Sequence, residues 1–292
     1  MFLDSIIFMP SDYRDYVPPE MNKMHSRETA PSLRKGAEFA LQAYCRRFEI
    51  NGQSKLEKID QILEQDPEAK FIIAASHFAD LDVPSAIKTF GGHLDMQITA
   101  ESNLFDRLTP QREVLMRLMG VENFSPLAYN KTSTGKRGIF DPDDFTKLEK
   151  QISDGKSPWI AVHPFTLANQ MEKAGIGAVY LAQETKSFII PAATEIRGNN
   201  PKTHRLSGLM KGLIDKPEII YHVGDPIKLE PLDITPIRIV LENRKRKIKP
   251  TPAEMTAFRE VHRKLKEQAE QVAETVAAML PPEQQGAYRG NK

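Results

Sequence analysis

Apolar residues recur along this chain in two rhythms, helical and alternating, and the switching between them predicts helices interleaved with short strands. From Ser32 to Arg46 the positions Leu33, Ala37, Ala40, Leu41 and Tyr44 keep helical spacing. Phe48 and Ile50 then alternate with polar neighbours ahead of Asn51 and Gly52, a strand followed by a turn. Residues 54–66 return to the helical rhythm through Leu56, Ile59, Ile62 and Leu63. Lys70 to Ala75 is a short apolar run that predicts a buried strand. It leads into Ser76 to Asp82, and Pro84 marks the start of another helix.

Met96 to Thr99 predicts a second buried strand, and residues 111–119 a helix that stops at Gly120. The stretch 126–143, with Lys131, Gly135, Lys136, Arg137, Gly138 and Pro142, predicts a surface excursion. A helix at 144–153 precedes a strand from Trp159 to Val162 that ends at His163 and Pro164. A helix from Gly177 to Gln183 is followed by a strand, Phe188 to Ile190, ending at Pro191. Ile219 to Val223 predicts one more strand, and Pro252 to Leu280 a long amphipathic helix. This alternation predicts an α/β fold, a mixed, mostly parallel sheet flanked by helices. The expected organisation is an N-terminal segment with a packed helix over 1–50, an α/β body over 51–250, and a C-terminal amphipathic helix and tail over 251–292.

Composition narrows the class without changing it. The 292 residues are 40% hydrophobic and 27% charged, and the formal net charge is +1, so no global field argues for nucleic acid. Lys and Arg do cluster at Arg244, Lys245, Arg246, Lys247 and Lys249. A solvated helix or loop face is the ordinary reading of such a run; contact with anionic headgroups or an acidic acyl carrier is the functional one. Cys45 is the single cysteine, which excludes an internal disulfide and a cysteine metal cluster. No uncharged apolar stretch reaches the ~18 residues of a spanning helix. Met1 to Met9 is apolar but carries Asp4 in place of a basic leader, and reads as a packed terminal segment or an interfacial anchor. There is no Gly-x-Ser-x-Gly elbow and no P-loop, and the seven histidines lack metal-ligand spacing.

The candidate chemistry gathers at His77 and Asp82. Histidine beside a carboxylate can take the proton of an attacking hydroxyl, because imidazole as a group exchanges protons near neutrality. A carboxylate on the far ring nitrogen would fix the tautomer and stabilise the imidazolium. A separation of five falls off one face of a helix, so the pair requires a non-helical turn between strand and helix. A strand-end histidine beside a helix-capping Asp82 is the alternative, and Asp80 competes for the carboxylate role.

The run Ser76-His77-Phe-Ala-Asp-Leu-Asp82-Val-Pro84 is similar to the Asn-His-x4-Asp block of the glycerolipid acyltransferase family typified by 1-acylglycerol-3-phosphate acyltransferases. Phe48 to Gly52 resembles the strand and glycine ahead of that block. Thr99 to Phe105 with Met116 to Gly120, Gly175 to Gln183, Ile189 to Ala192 and Val223 to Ile227 resemble later blocks, in the family's order over about residues 45–280. The resemblance implies a glycerol-3-phosphate/1-acylglycerol-3-phosphate acyltransferase-like fold and phospholipid biosynthesis as the setting. It implies His77 as general base and Asp82 as its orienter, with no cofactor and no metal. Acyl-CoA or acyl-carrier protein would be the co-substrate, and a hydroxyl of a lipid or glycolipid-like molecule the acceptor. The setting it implies is cytoplasmic, with peripheral contact on the inner face of the membrane.

The third block departs from the family. Where relatives carry Phe-Pro-Glu-Gly-Thr-Arg, this chain has His163, Pro164, Phe165, Thr166 and Leu167, so the Glu and the Arg are missing. The arginine of the second block is also absent near Ser125 to Leu127. A phosphate dianion favours Arg forks or clustered lysines, so these losses argue against a phosphate-bearing acceptor. Lys131, Lys136 and Arg137 could replace them, with a solvated basic turn as the ordinary reading. His163, Thr166 and Asn169 could instead hydrogen-bond a neutral hydroxylated acceptor. Ser76, Glu101, Pro164 and Thr166 complete the candidate binding set. A relative without activity that binds lipid or acyl chains is the alternative function.

Overall fold

The computed structural model describes residues 28–101, 123–127, 129–131, 137–140, 142–164, 169–198 and 214–290. The expected helix at 111–119, the apolar start, Phe165, Thr166 and Lys136 lie outside these residues. So do the side chains of Glu101, Lys131 and Arg137, whose backbones are described.

Phe71–Ala75 (β2) is buried along its whole length and takes the central place that its unbroken apolar run predicts. Phe188–Arg197 (β8) lies on one side of it and Ser157–Ala161 (β7) on the other, both parallel to it. Met96–Glu101 (β3) and then Phe124–Leu127 (β4) continue outward from β7, also parallel. On the far side Glu218–Val223 (β9) runs antiparallel to β8, and Arg47–Asn51 (β1) pairs parallel with β9. Ile227–Lys228 (β10) pairs antiparallel with the start of β8 and completes an eight-stranded mixed sheet, mostly parallel.

Alternation along the strands sorts the core onto two faces. Ile72, Ala74, Ile160, Ile189 and Ala193 face one layer of helices: Pro142–Ser153 (α4), Gly177–Thr185 (α5), Thr235–Lys245 (α6) and Pro252–Ala278 (α7). Phe71, Ile73, Ala75, Trp159, Ile190 and Tyr221 face the other: Pro31–Tyr44 (α1), Gln53–Gln65 (α2) and Asp82–Phe90 (α3). Helix α7 starts at a capping box in which Thr251 and Glu254 satisfy each other's orphan donors, with Pro252 in the first turn. Halfway along, its Gln268 bonds to Gln183 at the end of α5 and to the Glu230 carbonyl.

Two expectations need correction. Pro191 does not end a strand, because β8 continues to Arg197. Even-numbered residues of β8 turn their backbone groups to β2, as Phe188 N–H to the Lys70 carbonyl and Ser76 N–H to the Ala192 carbonyl show. Pro191 therefore faces away from β2, at the point where the neighbour changes from β10 to β9, and its missing donor breaks no rung. The stretch 126–143 is also more than a surface excursion. It contains the end of edge strand β4, where Pro126 is tolerated, and Tyr129–Lys131 (β5) pairs antiparallel with Arg137–Phe140 (β6).

Gly52, between β1 and α2, has φ +105°, and a Cβ there would lie 2.5 Å from the Val223 carbonyl oxygen. Only glycine meets both conditions. Gly52→Ala is expected to cost roughly 2–4 kcal/mol through the disfavoured φ and the forced retreat of β9. An unchanged denaturation midpoint would refute this.

Candidate active site

His77 stands just past the C-terminal end of β2, where the chain must turn from a central strand into α3. Its neighbour Ser76 extends the ladder: its N–H donates to the Ala192 carbonyl, and its buried hydroxyl accepts from the Thr194 N–H at 3.0 Å. Ser76 is thus spent on joining β2 to β8. After His77 the chain folds back so that Asp82, the first residue of α3, points at the loop preceding it.

One carboxylate oxygen holds that loop together. Asp82 Oδ2 accepts from the Phe78 N–H at 2.6 Å, from the Ala79 N–H at 2.8 Å and from His77 Nδ1 at 3.1 Å. Asp82 is completely buried; three donors meet its Oδ2, while Oδ1 has no hydrogen-bond partner among the described residues. Asp82 is therefore both a loop organiser and the carboxylate partner of His77. Because a carboxylate only accepts, the neutral imidazole carries its proton on Nδ1. Nε2, on the far side of the ring, is then the basic nitrogen. About a quarter of the His77 side chain (24%) is accessible to solvent.

Two aromatic residues back the pair. The Trp159 ring meets His77 edge-on, with centroids 5.2 Å apart and planes at 85°. Tyr221 is wholly buried, and burial pushes its hydroxyl pKa far up; the Trp159 indole draws it partly back, and the Asp82 charge raises it further. Both residues project from the sheet onto the α1–α3 side. Their roles were not legible from the sequence, where Trp159 and Tyr221 read as ordinary strand residues.

His163 leaves β7 beside His77, since the Val162 N–H donates to the Ala75 carbonyl and extends the β2–β7 pairing to that point. It is buried and 5.3 Å from the Phe78 ring. Its pKa is lowered, first by burial and also by His77, while the bond to Pro164 opposes the shift. Pro164 is exposed and Asn169 half-buried, with φ +53°. Glu101 ends β3 on the same edge of the sheet as His77. Arg137 and Lys131 sit on the separate β5–β6 pair, away from the eight-stranded sheet's register.

A second carboxylate–imidazole pair lies across β8 and β9. His222 Nε2 bonds Glu195 at 3.0 Å, and the Asn51 amide bonds His222 Nδ1 at 2.9 Å. Both ring nitrogens are engaged, so this pair ties β1, β9 and β8 together. Among the described residues no three His, Cys, Asp or Glu side chains are grouped to hold a metal ion. Among them, too, no helix is long and apolar enough to cross a membrane.

No protein-family model matches the chain, and no curated protein matches it. Among solved structures, it is similar to the crystal structure of the 1-acyl-sn-glycerophosphate acyltransferase PlsC from Thermotoga maritima. The two are 11% identical with a TM-score of 0.43, over 82% of this chain and 78% of that one.

Proposed function

We propose that this chain is an acyltransferase that moves a fatty acyl group from acyl-CoA or acyl-carrier protein to a hydroxyl of a lipid or glycolipid-like acceptor. The observation that carries the proposal is the bond from His77 Nδ1 to the buried Asp82 carboxylate. As the acceptor oxygen attacks the thioester carbonyl, its proton passes to His77 Nε2, and the ionised Asp82 stabilises the imidazolium. When the tetrahedral intermediate collapses, the C–S bond breaks and the same proton goes from Nε2 to the departing thiolate. No covalent enzyme intermediate is required. The acceptor side is assigned to Glu101 and Pro164, at the ends of β3 and β7 on the edge that carries His77, together with Thr166. Lys136 and Arg137 are assigned to any anionic group of the acceptor.

The test is thiol release by purified protein offered acyl-CoA and acyl-carrier donors against a panel of lysolipid, glycolipid and simple alcohol acceptors. Acceptor-dependent release with formation of the matching ester is expected. Folded protein that binds acyl chains but consumes no thioester with any acceptor would overturn the proposal in favour of a lipid-binding role.

A further inference from the structure

His163 has two ring nitrogens and both are committed. Nδ1 lies 2.7 Å from the Pro164 carbonyl oxygen, which only accepts, so Nδ1 carries the proton. Nε2 is therefore a lone-pair acceptor in the neutral ring, and the backbone N–H of His77 donates to it at 3.3 Å. The ring is 2% exposed, lies against Phe78, and follows directly on the last rung between β7 and β2. Burial lowers its pKa and so favours the neutral form that this arrangement needs.

We infer that His163 is a positioning residue: it accepts the main-chain N–H of His77 and fixes where the base stands, and it does not hydrogen-bond the acceptor. Asp82 sets the tautomer and direction of the His77 ring, and Trp159 limits its tilt. Neither bonds the His77 N–H, which sits just past the end of β2 and has a side-chain partner there. His163 supplies that partner from the adjacent strand. A base displaced by a fraction of an ångström no longer meets the hydroxyl proton in line, so this contact acts on the chemical step and leaves binding alone. The inference rests on the reading of His77 as the base, but the clamp itself can be measured without turnover.

The experiment compares His163→Asn with His163→Gln. The Asn side chain reaches only the Nδ1 position, whereas the Gln carbonyl oxygen reaches the place of Nε2 and can accept the His77 N–H. In His163→Asn, kcat is expected to fall about tenfold or more with the acceptor KM held within about twofold. His163→Gln should recover kcat to within about threefold of wild type. In parallel, hydrogen exchange of the His77 amide, followed by NMR on histidine-labelled protein, should quicken about tenfold in the Asn variant and not in the Gln variant. A rise in acceptor KM with kcat intact would instead place His163 against the acceptor and overturn the inference. Unmoved His77 exchange in His163→Asn would also overturn it. Should the wild type consume no thioester, the acyl-transfer proposal fails while the exchange rates still decide the clamp.

Discussion

His77→Ala is expected to lower acyl transfer by roughly 10²–10⁴-fold, the usual contribution of a positioned general base. The ring is partly exposed, and its removal leaves Asp82 bonded to the Phe78 and Ala79 amides, so the loop keeps its organiser. The melting temperature should therefore stay within about 4 °C of wild type. Donor affinity should stand as well, because the imidazole acts on the acceptor proton. The measurement is initial-rate thiol release with wild type and variant at matched folded concentrations. Equal rates would remove His77 from the chemistry and with it the proposed mechanism.

Asp82 is expected to separate into two effects according to the substitution. Asp82→Ala deletes the acceptor for two buried amides, and each unsatisfied donor costs about 1–3 kcal/mol. The protein should thus lose about 3–5 kcal/mol, comparable to breaking a buried charge pair, and be harder to obtain folded. Asp82→Asn retains a carbonyl oxygen for those amides, so most of the stability should survive. Turnover should not survive, because a neutral amide cannot stabilise the imidazolium and can reverse the tautomer; in a comparable triad the loss is about 10⁴-fold. Denaturation midpoints and initial rates of the two variants test both halves. An Asn variant as active as wild type would show that the carboxylate charge serves only the loop.

Much of the fold was legible because its core elements announce themselves by period. The unbroken run at Phe71 to Ala75 became the central strand, and the helical rhythm in Leu56, Ile59 and Leu63 became one face of α2. Pro191 misled because a proline normally stops a strand, and only the exchange of neighbours from β10 to β9 makes it harmless there. That exchange is a property of the sheet and of no single segment. The β5–β6 pair was hidden for a different reason. Its strands are only three and four residues long, so neither rhythm has room to repeat.

The site divides in the same way. The spacing of His77 and Asp82 was readable, including the need for a non-helical turn, since five residues cannot meet on one helix face. The double duty of Asp82 as loop organiser and imidazole partner was not readable, because it depends on where two amides point. His163 drew notice as a polar residue beside the third block. Its side chain turned inward because the register of β7 against β2 sets it next to the His77 amide, and register is decided by pairing. Tyr221 comes from a strand far along the chain, and the sheet order alone brings it near enough to feel the Asp82 charge.

The bond between Gln268 and Gln183 fixes more than a helix contact. Gln183 lies just ahead of β8, at the edge where the parallel strands begin, and α7 reaches the opposite edge near Ile196 through Gln284. From Gln268 back to Pro252 the helix runs on for about 24 Å, with Leu265 buried in the core and Val261 and Phe258 packed against it on the way. The turn that joins α6 to α7, with Arg246, Lys247, exposed Ile248 and Lys249, stands at the start of that helix. His77 lies past the C-terminal end of β2, whereas the helix leads back to this cationic turn from the edge where the parallel strands begin. A change of charge at the turn is therefore expected to leave the bond between His77 and Asp82 as it is.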